Sequence, residues 1–107
     1  MGSTALVVLT TLGNAADARA FVTALVEQRL VACGTLLPGA ASIYRWEGKL
    51  TEEGEVVVLL KTDRGKWDAL CAAVKARHPY QVPELLALPV ERGLDGYLSW
   101  LASEVVG

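Results

Sequence analysis

This chain of 107 residues has only two cysteines, one histidine and one phenylalanine, and no surplus of positive charge. Cys33 and Cys71 cannot make a disulfide framework; two thiols in so short a chain suit a reducing, cytoplasmic setting. Ten Lys and Arg against twelve Asp and Glu give a formal charge of −2. No basic excess exists to drive phosphate binding by counterion release, so nucleic acid is not an expected partner. No apolar run approaches the ~20 residues that cross a bilayer, and no membrane association is expected. The first basic residue is Arg19, so no charged segment precedes an apolar stretch and no signal peptide is readable. There is no internal repeat, linker, low-complexity tract or glycine-rich phosphate loop. With a single histidine and no nucleophile marked beside it, no catalytic set can be assembled, and the chain is not expected to be an enzyme.

What the chain does have is apolar surface. Hydrophobic residues are 52% of it and charged residues 21%, which is globular usage and excludes disorder. At roughly 150 residues per typical domain, residues 1–107 make one domain. That apolar content exceeds what a small monomer needs, which points to a subunit interface.

Strand-like and helix-like segments alternate along the sequence. Thr4 to Thr10 is an apolar, β-branched run that reads as a strand. Asn14 is a good N-cap for a helix with Ala15, Ala18, Val22, Leu25 and Val26 on one stripe, ending near Ala32. Cys33 opens a second strand in a long stretch to Lys49 that Pro38-Gly39 interrupts, with strand-type composition at Ser42 to Glu47, and a third strand runs from Glu55 to Thr62. The turn from Gly48 to Gly54 reads as a hairpin tip longer than the tight two-residue kind. Asp63 caps a second helix, whose Trp67, Leu70, Cys71 and Val74 fall at i, i+3, i+4 and i+7. His78-Pro79 stops it. Glu84 to Val90 is a last strand, and Leu94, Tyr97, Leu98, Leu101 and Val105 mark a terminal helix.

The order β-α-β-β-α-β plus a C-terminal helix is the ferredoxin-like arrangement, an α+β fold with the first and third strands central. Leu6–Leu9 and Val56–Leu60 are apolar at every position, as strands buried on both faces are. The two connecting helices cover one face only. Self-association through the other face is the cheapest way to hide it.

Several chemistries carried by this fold are excluded by missing residues. The loop after the first strand, Thr10 to Asn14, has neither the Cys-x-x-Cys that clasps a soft cation nor an arginine to hold phosphate. The central strands carry no aromatic ring on which an RNA base could stack. His78 is either a helix-end cap or a metal or ligand contact. Cys33 is either a buried small hydrophobe or a thiol ligand, while Cys71 lies on a core stripe. Trp46 and Tyr44 alternate with Arg45 and Glu47 and suit packing against another subunit. Lys61 and Glu84 lie at rims of the sheet where a subunit cleft could form. The second and fourth strands are expected to start at the same end of the sheet, on opposite edges about 14 Å apart. Cys33 and His78 would then share an end but could reach one ion only across a subunit interface.

The blocks Leu30 to Gly39, Ser42-Ile43-Tyr44-Arg45-Trp46-Glu47-Gly48-Lys49, Lys61-Thr62, His78-Pro79-Tyr80-Gln81-Val82-Pro83-Glu84 and Tyr97-Leu98-Ser99-Trp100 resemble the CutA family of divalent-cation tolerance proteins. The blocks occur in the family's order and cover nearly the whole chain. The resemblance implies a cytoplasmic homotrimer, similar in architecture to the PII signalling trimers, linked to tolerance of copper and other divalent cations, with no enzymatic activity. The copper site assigned in bacterial members falls here on Thr10, Arg77 and His78; only His78 keeps a ligand-type side chain. No cofactor is obligatory, and copper or another divalent cation would be weakly held, with His78 and Cys33 as its donors. The alternative is a PII-like sensor binding a small metabolite in subunit clefts lined by Trp46, Lys61, Tyr80 and Glu84.

Overall fold

The computed structural model describes residues 3–106. Strand β1 (Ala5–Leu12) is followed by helix α1 (Ala15–Glu27) and by a long hairpin of β2 (Cys33–Trp46) and β3 (Lys49–Asp63). A short 3-10 turn (Arg64–Lys66) leads into α2 (Trp67–Arg77), then β4 (Leu86–Pro89) and α3 (Asp95–Glu104). The sheet order is β2-β3-β1-β4 with every neighbouring pair antiparallel. That is the expected α+β arrangement with β1 and β3 in the centre.

Local chemistry explains the element ends. Asn14 accepts a hydrogen bond from the Asp17 amide at 2.8 Å and starts α1. The helix stops at Glu27 rather than near Ala32, because Arg29 takes a left-handed conformation (φ 56°). The Arg29 and Leu30 amides then bond back to the carbonyls of Val26 and Leu25. This is a Schellman closure built on an arginine where glycine is usual. Asp63 caps the 3-10 turn through the Gly65 amide, and α2 proper begins four residues later.

The hairpin corrects the sequence reading. Its tip is a tight two-residue turn, Glu47-Gly48, both with positive φ (50° and 79°). A glutamate at the first of two left-handed positions hides a turn that an asparagine would announce. Nor does Pro38-Gly39 end the strand: β2 passes through it by a bulge between Leu37 and Ala40, with Gly39 at φ 84°. The last strand is shorter than expected, so Glu84 precedes it.

The core lies between the sheet and helices α1 and α2. Leu6, Val8, Leu12, Val56, Val58 and Leu60 pack there against Phe21, Leu25, Leu70 and Val74. Phe21 is a core member that the helical stripe read from sequence omitted, whereas Val26 from that stripe is exposed. Trp67 and Cys71 are only half-buried. Gly34 is required by close packing, since a Cβ there would lie 2.6 Å from the Val22 Cγ1.

Among the described residues the opposite sheet face is covered only at one end, where Leu101 of α3 and Val105, the residue just past it, pack on Ala5 and Ala32. Beyond them Val7, Leu9, Val57 and Leu59 are half-buried. Leu37, opposite Val57, and Leu86 and Leu88, opposite Leu9 and Val7, are about half exposed (47%, 57% and 55%).

Candidate functional site

Two groups of polar side chains occupy this less covered side, one toward each end of the stretch of β3 that pairs with β1. The register decides their membership. Cys33 pairs with Lys61 across β2 and β3, so both side chains share a face. The Lys61 Nζ donates to the Cys33 Sγ at 3.8 Å, and the Tyr97 hydroxyl of α3 lies 3.7 Å from the same sulfur. The thiol is half-buried. Its hydrogen bond, reinforced by burial, holds the Tyr97 phenol above its ordinary pKa.

The second group forms at the other end. Glu55, the first apolar-strand residue on the face shared with Val57, Leu59 and Lys61, is buried. Its Oε2 accepts from the Tyr80 hydroxyl at 2.7 Å. Burial pushes the Glu55 carboxyl up, but hydrogen bonding to the hydroxyls of Ser42, Tyr80 and Thr11 outweighs it and leaves the group below the usual carboxylate range. Burial and the Glu55 carboxylate in turn push the Tyr80 phenol well above its ordinary value. Tyr44 is shifted the same way, by desolvation and by Glu53. Thr11, Ser42, Tyr44, Glu55, Tyr80 and Glu84 line a cleft of about 430 Å³. A neighbouring hollow is bounded by Tyr44, Trp46, Glu53 and Tyr80.

His78 anchors this end. Its Nε2 lies 2.8 Å from the Thr11 carbonyl, two residues past the last β1–β4 pair. Its Nδ1 accepts the Tyr80 amide at 3.1 Å. The ring is buried, edge-on to Phe21 at 5.5 Å and to Tyr80 at 4.8 Å between centroids.

The residues singled out from sequence are therefore split. Tyr80 and Glu84 line the Glu55 cleft and Trp46 borders the neighbouring hollow beside Glu53 and Tyr80, whereas Lys61 stands six residues along β3 from Glu55, about 20 Å away at strand rise. The expectation that Cys33 and His78 share an end of the sheet is overturned. β2 runs parallel to β1 and β4 antiparallel to it, so the strands enter from opposite ends. Cys33 stands level with Val7 and His78 with Thr11, about 13 Å apart along the strand direction alone. Glu55 and Thr11 were missed. Parity along Glu55-Val56-Val57 placed Glu55 on the less covered face, but nothing local marked it as buried.

The copper ion that the resemblance implies does not fit these residues. Both His78 ring nitrogens are engaged, Arg77 is an exposed cation, and the Thr10 hydroxyl is fully buried with no partner among the described residues. Among the described residues no three His, Cys, Asp or Glu side chains converge.

An antiparallel four-stranded sheet backed by two helices, a third helix across one end and a long projecting hairpin define a ferredoxin-like α+β protein. The family described as CutA1 divalent ion tolerance protein matches residues 6–104. This chain belongs to that family. It is 48% identical over 99 residues to the divalent-cation tolerance protein CutA of Escherichia coli O45:K1, covering 92% of this chain and 88% of that protein. The crystal structure of CutA from Xylella fastidiosa superposes with a TM-score of 0.94 at 38% identity, over 97% of this chain and all of that one (100%). The divalent cation tolerance protein of Thermus thermophilus gives 0.91 at 45% identity, over 94% of this chain and 97% of that one.

Proposed function

We propose that this protein is a homotrimer serving tolerance of divalent cations, copper among them, in the cytoplasm, without catalysis and without a tightly held ion. The tolerance role is carried over from relatives named for it in Escherichia coli and Thermus thermophilus. One observation of the chain itself supports the assembly: the described residues leave the apolar strip from Leu37 through Val57, Leu59, Leu9 and Val7 to Leu86 and Leu88 half-buried to half-exposed. The hairpin adds exposed Ile43, Trp46 and Leu50. Apolar surface of this extent on a small chain supports burial against further copies. Two free thiols support a reducing compartment.

Copper is proposed to bind weakly, at micromolar concentration or above (about 8 kcal/mol or less), against roughly 10–16 kcal/mol for structural zinc sites. Cys33, soft and half-buried and outside the family's copper-site positions, is the donor proposed to meet it. Light scattering at micromolar protomer should give three times the chain mass. Leu59→Asp, which buries an unpaired charge in that strip, should dissociate or unfold the assembly. A monomer across the concentration range removes the assembly. Unchanged copper and zinc sensitivity of cells that lack or overproduce the protein removes the tolerance role.

A further inference from the structure

The structure assigns His78 to the architecture of the Glu55 cleft and not to a metal: it is a positioning residue that holds Tyr80 against Glu55. The Thr11 carbonyl can only accept a hydrogen bond, so the Nε2 that lies 2.8 Å from it carries a proton. The Tyr80 backbone amide can only donate, so the Nδ1 at 3.1 Å is unprotonated. These two partners fix one neutral tautomer and use both ring nitrogens. A metal needs a free lone pair on one of them. At Nδ1 it would have to displace the Tyr80 amide, and at Nε2 it would have to expel a proton and break the tie to β1. The ring is also closed in between Phe21 and Tyr80, with 8% of the residue exposed.

The same bonds explain why Tyr80 stands where it does. Past the end of α2 the chain has no ladder to join until Leu86, and His78 supplies the missing attachment to β1. With its amide held by Nδ1, Tyr80 places its hydroxyl 2.7 Å from the buried Glu55 carboxylate. His78 thus sets the carboxylate–phenol pair without touching it through its own nitrogens. This role concerns the chain's own packing and does not depend on the tolerance reading.

Nitrogen-15 spectra of the His78 ring, recorded with and without equimolar zinc, test the assignment directly. The expected result is one protonated and one hydrogen-bond-accepting nitrogen, neither moved by zinc. Copper affinity of His78→Ala and His78→Asn should stay within twofold of the parent protein. Spectrophotometric titration should show the Tyr80 phenol falling toward its ordinary range in His78→Ala. His78→Asn should restore it, because its Oδ1 can accept the Tyr80 amide in place of Nδ1. If His78→Ala does not fold, His78→Asn and His78→Gln carry the comparison. Zinc-induced shifts of the ring nitrogens, a tenfold loss of copper affinity in the variants that fold, or a phenol unmoved in His78→Ala would overturn the assignment. Should the parent bind no copper, the ring spectra and the phenol titration decide.

Discussion

Replacing Thr10 by valine should stabilise this protein. Thr10 is fully buried in β1, on the face that packs against the helices, and its hydroxyl has no hydrogen-bond partner among the described residues. An unsatisfied buried hydroxyl costs about 1–3 kcal/mol of desolvation that nothing returns. Valine keeps the β-branched shape, the strand preference and nearly the volume, so the neighbouring Val58 and Leu12 need not move. The expected gain is about 1–2 kcal/mol, or a rise in Tm of roughly 5–10 °C for a domain of this size. Thr10→Ser is the control: it keeps the orphan hydroxyl and loses a buried methyl, so it should lose about 1 kcal/mol. Thermal and guanidinium unfolding, compared at one fixed protomer concentration, would measure both. A Thr10→Val protein less stable than the parent would refute the reasoning, because it would mean that the hydroxyl has a partner.

Gly34→Ala should destabilise by about 1–3 kcal/mol in the same assay, because its Cβ would meet Val22 at 2.6 Å and Leu60 at 3.0 Å; a neutral change would show that α1 can lift from β2 freely. The depressed Glu55 carboxyl contributes stability that is complete above the ordinary carboxylate value of about 4.3 and is lost as pH falls through its lower folded value. Glu55→Gln should therefore be less stable than the parent at neutral pH and should lose less on acidification; parallel acid-unfolding curves would remove the carboxylate from the account. Glu47→Asn, placing a residue tolerant of left-handed φ at the hairpin tip, should raise stability by roughly 0.5 kcal/mol or more, and an unchanged Tm would argue that Glu47 carries no strain.

The sequence by itself determined the order of elements and the central strands, because runs such as Leu6–Leu9 and Val56–Leu60 have only one use in a small α+β chain. It also determined the helix start at Asn14, the helix stop before Pro79 and the lack of cover on one sheet face. These are local or compositional facts. The tight Glu47-Gly48 turn and the early end of α1 at Arg29 escaped it, since each uses a residue whose intrinsic preference opposes the conformation held by the surrounding pairing. Strand direction decided more. It follows from the connections, since a hairpin between two helical crossovers makes β4 antiparallel to β2 and starts the two strands at opposite ends, and that alone separated Cys33 from His78. By contrast, no window of sequence brings Thr11, Glu55, His78 and Tyr80 together. They come from β1, β3 and the turn after α2, and only the folded sheet makes one carbonyl, one ring, one phenol and one carboxylate neighbours, since hydrogen-bond partners distant along the chain are chosen by register and not by propensity.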